Sequence, residues 1–133
     1  MARVNVEIVT PEKRVAQTQV DEAIIPGGNG LFGVRPGHTP FLSVMEPGPL
    51  TLKDGAKTET WFVAGGFVQV SNDRVLVLAD HAEPASGIDV DAARKRMDAA
   101  LARMKGMSAA DPQFDLEQAI VKSETARIAV AAR

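Results

Sequence analysis

Few side chains in this sequence could carry chemistry, and the most suggestive spacing is a run of glycines. Gly28, Gly30 and Gly33 spell G-x-G-x-x-G behind the strand-like run Glu22 to Ile25, the pattern with which a tight turn brings backbone amides to a pyrophosphate. That chemistry requires a helix to open at the last glycine, because helix N-terminal amides and the helix dipole hold the phosphate. Val34 to Pro40 carries Pro36, Gly37 and Pro40 instead, so the helix is missing and the dinucleotide reading fails. His81 lies beside Asp80 and near Glu83, an arrangement that could orient a general base. No G-x-S-x-G elbow supplies a nucleophile, however, and Ser71 and Ser86 sit among turn residues. A surface or capping histidine is the plainer reading of His81, and His38, fixed in Pro36-Gly37-His38, reads as a contact residue. Two histidines and no cysteine leave no spacing of strong metal ligands. No catalytic residue, metal or cofactor is expected.

Composition narrows the partners. Fifteen basic against seventeen acidic side chains give a net charge of −2, which offers no field for a polyanion or an anionic bilayer. Five Phe, one Trp and no Tyr make base-stacking surfaces scarce, so nucleic acid is excluded. No apolar stretch approaches the eighteen or so residues that span a bilayer, and no basic segment leads into an apolar run at the N-terminus. Direct membrane insertion is therefore not expected. Aromatic scarcity also means that the core is built mainly from Val, Ile, Leu and Ala.

The elements that position these residues follow from periodicity. Val4, Val6 and Ile8 alternate with polar neighbours, as in a half-buried strand. Val15 to Ile25 reads as one or two strands entering the stretch Ile24 to Pro40, whose five glycines and three prolines predict a rigid, sharply turned loop rather than helix or unbroken strand. Such loops present contacts to partners. Phe41 to Met45 and Leu50 to Leu52 read as separate short strands around Glu46-Pro47-Gly48-Pro49. Lys53-Asp54-Gly55 predicts a hairpin turn, and Thr58 to Val63 returns from it with Trp61 and Phe62 on opposite faces. Gly65-Gly66 marks a bulge or corner. Arg74 to Ala79 is a nearly continuous apolar run and predicts a strand buried on both faces.

Roughly seven to ten strands with frequent turns and no helix among them predict a β-sandwich or barrel over residues 1–84. Glu83-Pro84-Ala85-Ser86-Gly87 then breaks the pattern, giving a linker at 85–88. Over 89–133 a helix-loop-helix hairpin is expected. Charge changes at the same place: residues 1–87 hold seven basic and ten acidic side chains, net −3, while residues 88–133 hold eight and seven, net +1. Asp89 is a good N-cap, with Val90, Ala93, Met97, Leu101 and Met104 on one helical face and Gly106 as the stop. Asp115 is read as the cap of a second helix with Leu116, Ala119, Ile120, Ser123, Ala126 and Val130 on its best face. That face is thin, so the hairpin must lean on the sandwich or on a partner.

Four blocks in order carry a family resemblance: I-P-G-x-x-G-x-x-G-V-x-P-G-H-T-P from Ile25 to Pro40, E-P-G from Glu46, A-G-G-F-V-Q-V from Ala64 and V-L-A-D-x-A-E from Val77. Together they resemble the epsilon subunit of F-type, proton-translocating ATP synthases, over the whole chain. The resemblance implies a non-catalytic rotor subunit: a β-sandwich at the foot of the central stalk that binds the gamma subunit and the c-subunit ring, coupling ring rotation to the catalytic head. It implies a contact surface including Asn29, Leu31, Arg35, His38 and Thr39. Some relatives carry an acidic residue where Leu31 stands, so an apolar contact replaces an ionic one there. It further implies a hairpin that either folds against the sandwich or extends along the stalk towards the alpha and beta subunits, where it inhibits ATP hydrolysis. Some bacterial members bind ATP through a motif close to I-D-x-x-R-A. Here Ile88-Asp89-Val90-Asp91-Ala92-Ala93 puts Ala92 at the arginine's place, leaving Asp89 and Arg94 as the weak nucleotide-binding pair. The implied location is peripheral, at the cytoplasmic face of the bacterial inner membrane. The alternatives are a nucleotide-sensing regulator acting through the hairpin and a non-catalytic β-sandwich ligand-binding module.

Overall fold

A computed structural model of the chain describes residues 2–133. Eight strands come first: β1 (Val4–Val9), β2 (Arg14–Val20), β3 (Glu22–Gly27), β4 (Gly30–Val34), β5 (Phe41–Asp54), β6 (Lys57–Ser71), β7 (Arg74–Ala79) and β8 (Ala82–Pro84). A 3-10 turn (Ala85–Gly87) leads to two helices, α1 (Val90–Met104) and α2 (Pro112–Ala131). Strand order is β2-β1-β7-β6-β5-β3-β4, with β8 added to β6. The architecture is a β-sandwich followed by a helical hairpin, the fold class expected from periodicity.

Two long strands make the sandwich from one sheet. The first half of β5 pairs with the second half of β6, and there β6 also pairs with β7. Their other halves pair with β3 and β8. One layer is therefore β2-β1-β7 with half of β6 and β5, and the other is β4-β3 with the remaining halves and β8. The short strands expected at Phe41 to Met45 and Leu50 to Leu52 are parts of β5, and those at Thr58 to Val63 and Phe67 to Val70 are parts of β6. Pro47 and Pro49 are tolerated inside β5 because the β3 register jumps from Ile24, opposite Thr51, to Gly27, opposite Met45. The ladder to β3 is interrupted where the prolines lie. On β6, Gly65 and Gly66 take φ of +93° and +108°, which lets the strand turn the corner between layers.

The stretch Ile24 to Pro40 is more regular than its glycines and prolines suggest. β3 and β4 form a tight hairpin through Gly28 and Asn29, with Ile25 opposite Phe32 and Pro26 opposite Leu31. Only Arg35 to Pro40 is loop. Pro26 sits where the ladder to β5 is interrupted, so its missing N–H costs no hydrogen bond.

Val4, Val6 and Ile8 of β1, Val75 and Val77 of β7, and Trp61, Val63, Val68 and Val70 of β6 meet between the layers. β7 is buried on one face only, because Leu78 on its other side is 44% exposed; an apolar run at this place is half core and half surface. Trp61 and Phe62 do face opposite ways. Trp61 belongs to the core, whereas fully buried Phe62 lies under α2, with the Arg127 guanidinium 5.0 Å from its ring centroid.

Asp89 caps α1 by accepting from the Ala92 amide at 3.0 Å. Ala93 and Ala100 are its buried residues, Met97 and Met104 are half-buried, and Leu101 is exposed. The second helix begins earlier than expected: Asp111, not Asp115, is the cap, accepting from Gln113 N at 2.9 Å, and Pro112 opens the first turn. Proline is suited to that place, since a first-turn N–H has no intrahelical partner. The buried face also differs. Leu116 is 59% exposed, while Glu117 and Glu124 are buried. Arg103 Nε donates to Glu117 Oε1 and Arg96 Nε to Glu124 Oε1, both at 2.9 Å, so each buried carboxylate is paired across the helix interface.

α2 lies on β5 and β6, and the helix interface is largely small residues and ion pairs. Excised residues 88–133 are therefore expected to be mostly unfolded by circular dichroism; a cooperative thermal transition in that peptide would contradict this. The Arg103 hydrogen bond holds the Glu117 carboxyl below the usual carboxylate range, opposed by burial and assisted by Gln113. A depressed folded value means that the pair's stabilisation is complete above the unfolded carboxylate value of about 4.3 and is lost as pH falls through the lower folded one. Helicity of the full chain should then decline as the pH falls below about 4. Glu117→Gln should flatten that decline; an unchanged acid profile in the variant would mean that other carboxylates govern it.

Candidate functional site

One outer face of the sandwich is covered and the other is bare. The hairpin lies over the layer that contains Phe62. On the opposite face, ladder register aligns Val44 with Phe67, Phe67 with Leu78, and Leu78 with Val9. This row crosses four strands, with Val44 52% and Phe67 53% exposed. Leu42, 70% exposed, stands two residues before Val44 on the same side of β5. Contiguous apolar surface of this kind marks an interaction face rather than a scatter of single residues. The alternation that buries Val68 and Val70 inside necessarily sends Phe67 and Gln69 outside.

The five contact residues expected from the sequence divide into two groups. Asn29 is at the tip of the β3–β4 hairpin and Leu31 one residue into β4, both exposed. Arg35, His38 and Thr39 lie beyond the far end of β4, about 15 Å away along a strand that rises about 3.3 Å per residue. The apolar edge of β5 runs between the groups, since Gly28 N donates to Val44 O at 3.0 Å.

The far group is held rigidly. Arg35 Nε donates to Glu22 at 3.2 Å, the Gly37 amide donates to Asp73 Oδ1 at 2.7 Å, and His38 N donates to Arg35 O at 3.1 Å. His38 Nδ1 donates to the Thr39 carbonyl at 2.6 Å; a carbonyl can only accept, which assigns a proton to Nδ1. Its ring lies 6.4 Å from that of Phe41, which packs edge-on against Phe32 at 5.2 Å. His38 is thus a fixed polar side chain beside an exposed aromatic, and its side-chain hydrogen bond is to a backbone carbonyl rather than a carboxylate. His81 is the histidine near a carboxylate, with Nε2 3.6 Å from Glu83 Oε1.

Asp89 and Arg94 do not converge. The Asp89 carboxylate is engaged in capping α1, and Arg94 is exposed further along the helix. Among the described residues no cluster of three His, Cys, Asp or Glu side chains could hold a metal ion, and no helix is long and apolar enough to cross a membrane.

Sequence reasoning missed the apolar row and the paired helix charges. The row had a signal, because Phe67 and Leu78 occupy the outward parity of strands whose inward residues are Val. The charges had one as well: Arg96 and Arg103 are seven apart, as are Glu117 and Glu124, and they pair in reverse order as antiparallel helices require.

Comparison with known proteins gives this arrangement a lineage. Residues 3–85 match the family described as ATP synthase, Delta/Epsilon chain, beta-sandwich domain. A protein of Myxococcus xanthus (strain DK1622), ATP synthase epsilon chain, is 66% identical over 131 residues, covering 98% of this chain and 96% of that protein. The ATP synthase epsilon chain of Anaeromyxobacter sp. (strain K) is 48% identical over 127 residues, 96% of each chain. In solved structures, a chain of the Euglena gracilis mitochondrial ATP synthase (OSCP/F1/c-ring) superposes with a TM-score of 0.79 at 23% identity, over 99% of this chain and 82% of that one. A chain of the Tetrahymena thermophila mitochondrial ATP synthase central stalk/c-ring gives 0.58 at 14% identity, over 98% and 95%. At such identities those two likenesses concern the fold. With its sandwich matched throughout and two thirds of its residues shared with a relative of nearly the same length, the chain belongs to the family of ATP synthase epsilon chains, a non-catalytic subunit.

Proposed function

We propose that this chain is a rotor subunit of a proton-driven ATP synthase, seated at the foot of the central stalk and linking the gamma subunit to the c-subunit ring. The observation that carries this reading is the bare apolar row Val44–Phe67–Leu78–Val9, on the face of the sandwich that the hairpin leaves open. A lone soluble domain has no use for such a face, and a permanent partner does. In this reading gamma covers the row together with the rigid loop Arg35–Thr39. The hairpin tip at Asn29 and Leu31 meets the loops of the ring through an apolar contact. The subunit is peripheral, held at the cytoplasmic face of the bacterial inner membrane by its partners. The helical hairpin regulates hydrolysis by changing its position relative to the sandwich and reaching the alpha and beta subunits.

Titration onto a purified α3β3γ complex tests this, comparing the full chain with a version ending at Ser86. Both should bind, and only the full chain should slow ATP hydrolysis. Binding by neither would remove the stalk assignment, and binding without inhibition would remove the regulatory role of the hairpin.

A further inference from the structure

α2 meets the sandwich through little large apolar surface. Val130 is buried there, Ile120, Val121 and Ile128 are half-buried, and Leu116 faces solvent. Two cations are the more specific contacts. Arg127, whose side chain is 15% exposed, places Nε 3.1 Å from Glu83 Oε1 of β8 and its guanidinium over Phe62. One turn and a half earlier, Lys122 Nζ lies 2.6 Å from Glu46 Oε2 of β5.

The Arg127–Glu83 contact has two features of a releasable one. Arg127 Nε and Glu83 Oε1 are both shut off from solvent, yet neither has a properly aligned hydrogen bond. Desolvation is thus incompletely offset, and separation returns both groups to water. Each member also has a second partner on its own side. Arg127 Nη1 is 3.5 Å from Glu124 Oε2 within α2, and Glu83 Oε1 is 3.6 Å from His81 Nε2 in the sandwich. Parting the two elements leaves Arg127 beside Glu124 and opens Glu83 to water, which is what an element with two accessible positions needs.

We propose that Glu83 and Glu46 form a two-point carboxylate latch that holds α2 against the sandwich through Arg127 and Lys122, and that this latch sets the fraction of time the hairpin is docked. The proposal rests on the reading of the hairpin as a regulatory element, and it makes the chain's own sandwich the mask over the basic residues of α2. Charge attraction at the exposed Lys122–Glu46 point is screened by salt, whereas the buried Arg127–Glu83 contact and the burial of Val130 respond to it much less.

Hydrogen exchange on the full chain, free of partners, provides the test and leaves the stalk-binding experiment independent. In a Glu46→Gln, Glu83→Gln double variant, α2 amides should exchange about tenfold faster while β1 and β7 amides keep wild-type protection. In the wild type, raising NaCl from about 0.05 M to about 0.5 M should accelerate the same α2 amides, and the double variant should lose that response. Protection of α2 that is unchanged in the variant, or a wild type indifferent to salt, would overturn the latch. The wild-type salt titration remains decisive even if the double variant fails to fold.

Discussion

Gly66→Ala should unfold much of the population at temperatures where the wild type is intact. Gly66 sits at φ +108°, a conformation costing an L-residue about 1–3 kcal/mol. An added Cβ would also stand 2.0 Å from the Leu78 carbonyl oxygen and 3.0 Å from Ala79 Cα. Both obstacles are backbone of β7, so the β6–β7 ladder must shift. A combined loss of about 3–5 kcal/mol is a large part of the 5–15 kcal/mol that stabilises an ordinary domain. Gly65→Ala separates strain from collision, since Gly65 has φ +93° but its added Cβ would meet nothing closer than 3.6 Å. It should cost only the strain, about 1–3 kcal/mol. Denaturant unfolding followed by the fluorescence of Trp61 measures both; equal stabilities for the two variants would refute the backbone collision.

The second large effect concerns the bare face. Phe67→Asp and Leu78→Asp, singly and together, should weaken binding to an α3β3γ complex by about a hundredfold or more, because charge placed at the centre of a desolvated contact is paid for in full. Both side chains are about half exposed in the free chain, so the unfolding midpoint should move little. Leu101→Asp and Leu116→Asp, on exposed positions of the hairpin, serve as controls and should leave affinity for the stalk unchanged. Wild-type affinity in the Phe67 and Leu78 variants would remove this face as the interface.

How far the sequence reveals this structure depends on what each pattern can carry. Strict alternation in β1 and the opposed faces of Trp61 and Phe62 follow from strand geometry, and both are where periodicity puts them. Turn residues mislead at Ile24 to Pro40 and at Glu46 to Pro49, where proline falls on a stretch in which the β3–β5 ladder is interrupted. That interruption depends on strand pairing, which no local window contains. The run Arg74 to Ala79 looks doubly buried because its outward residues are apolar as well, and composition cannot tell a buried core face from an exposed apolar one. Helix positions suffer from the same limit: Leu116 resembles a core residue and Glu117 a surface one, until Arg103 of the neighbouring helix fixes which of them is inside. Of the expected contact residues, the local anchoring of His38 was legible from Pro36-Gly37-His38. The separation of Arg35, His38 and Thr39 from Asn29 and Leu31 was not, because it is set by the length of β4.

β5 and β6 run unbroken through both layers, and this gives the domain a mechanical character. Phe62, beneath the helices, and Phe67, on the bare face, belong to one strand, with only the Gly65-Gly66 corner between them. A force applied to the bare face would be carried to the opposite side by covalent backbone, cross-braced by ladder hydrogen bonds, and not by side chains that can slide over one another. A folded strip creased at Gly65-Gly66 in this way would turn as a single body when pushed on one side.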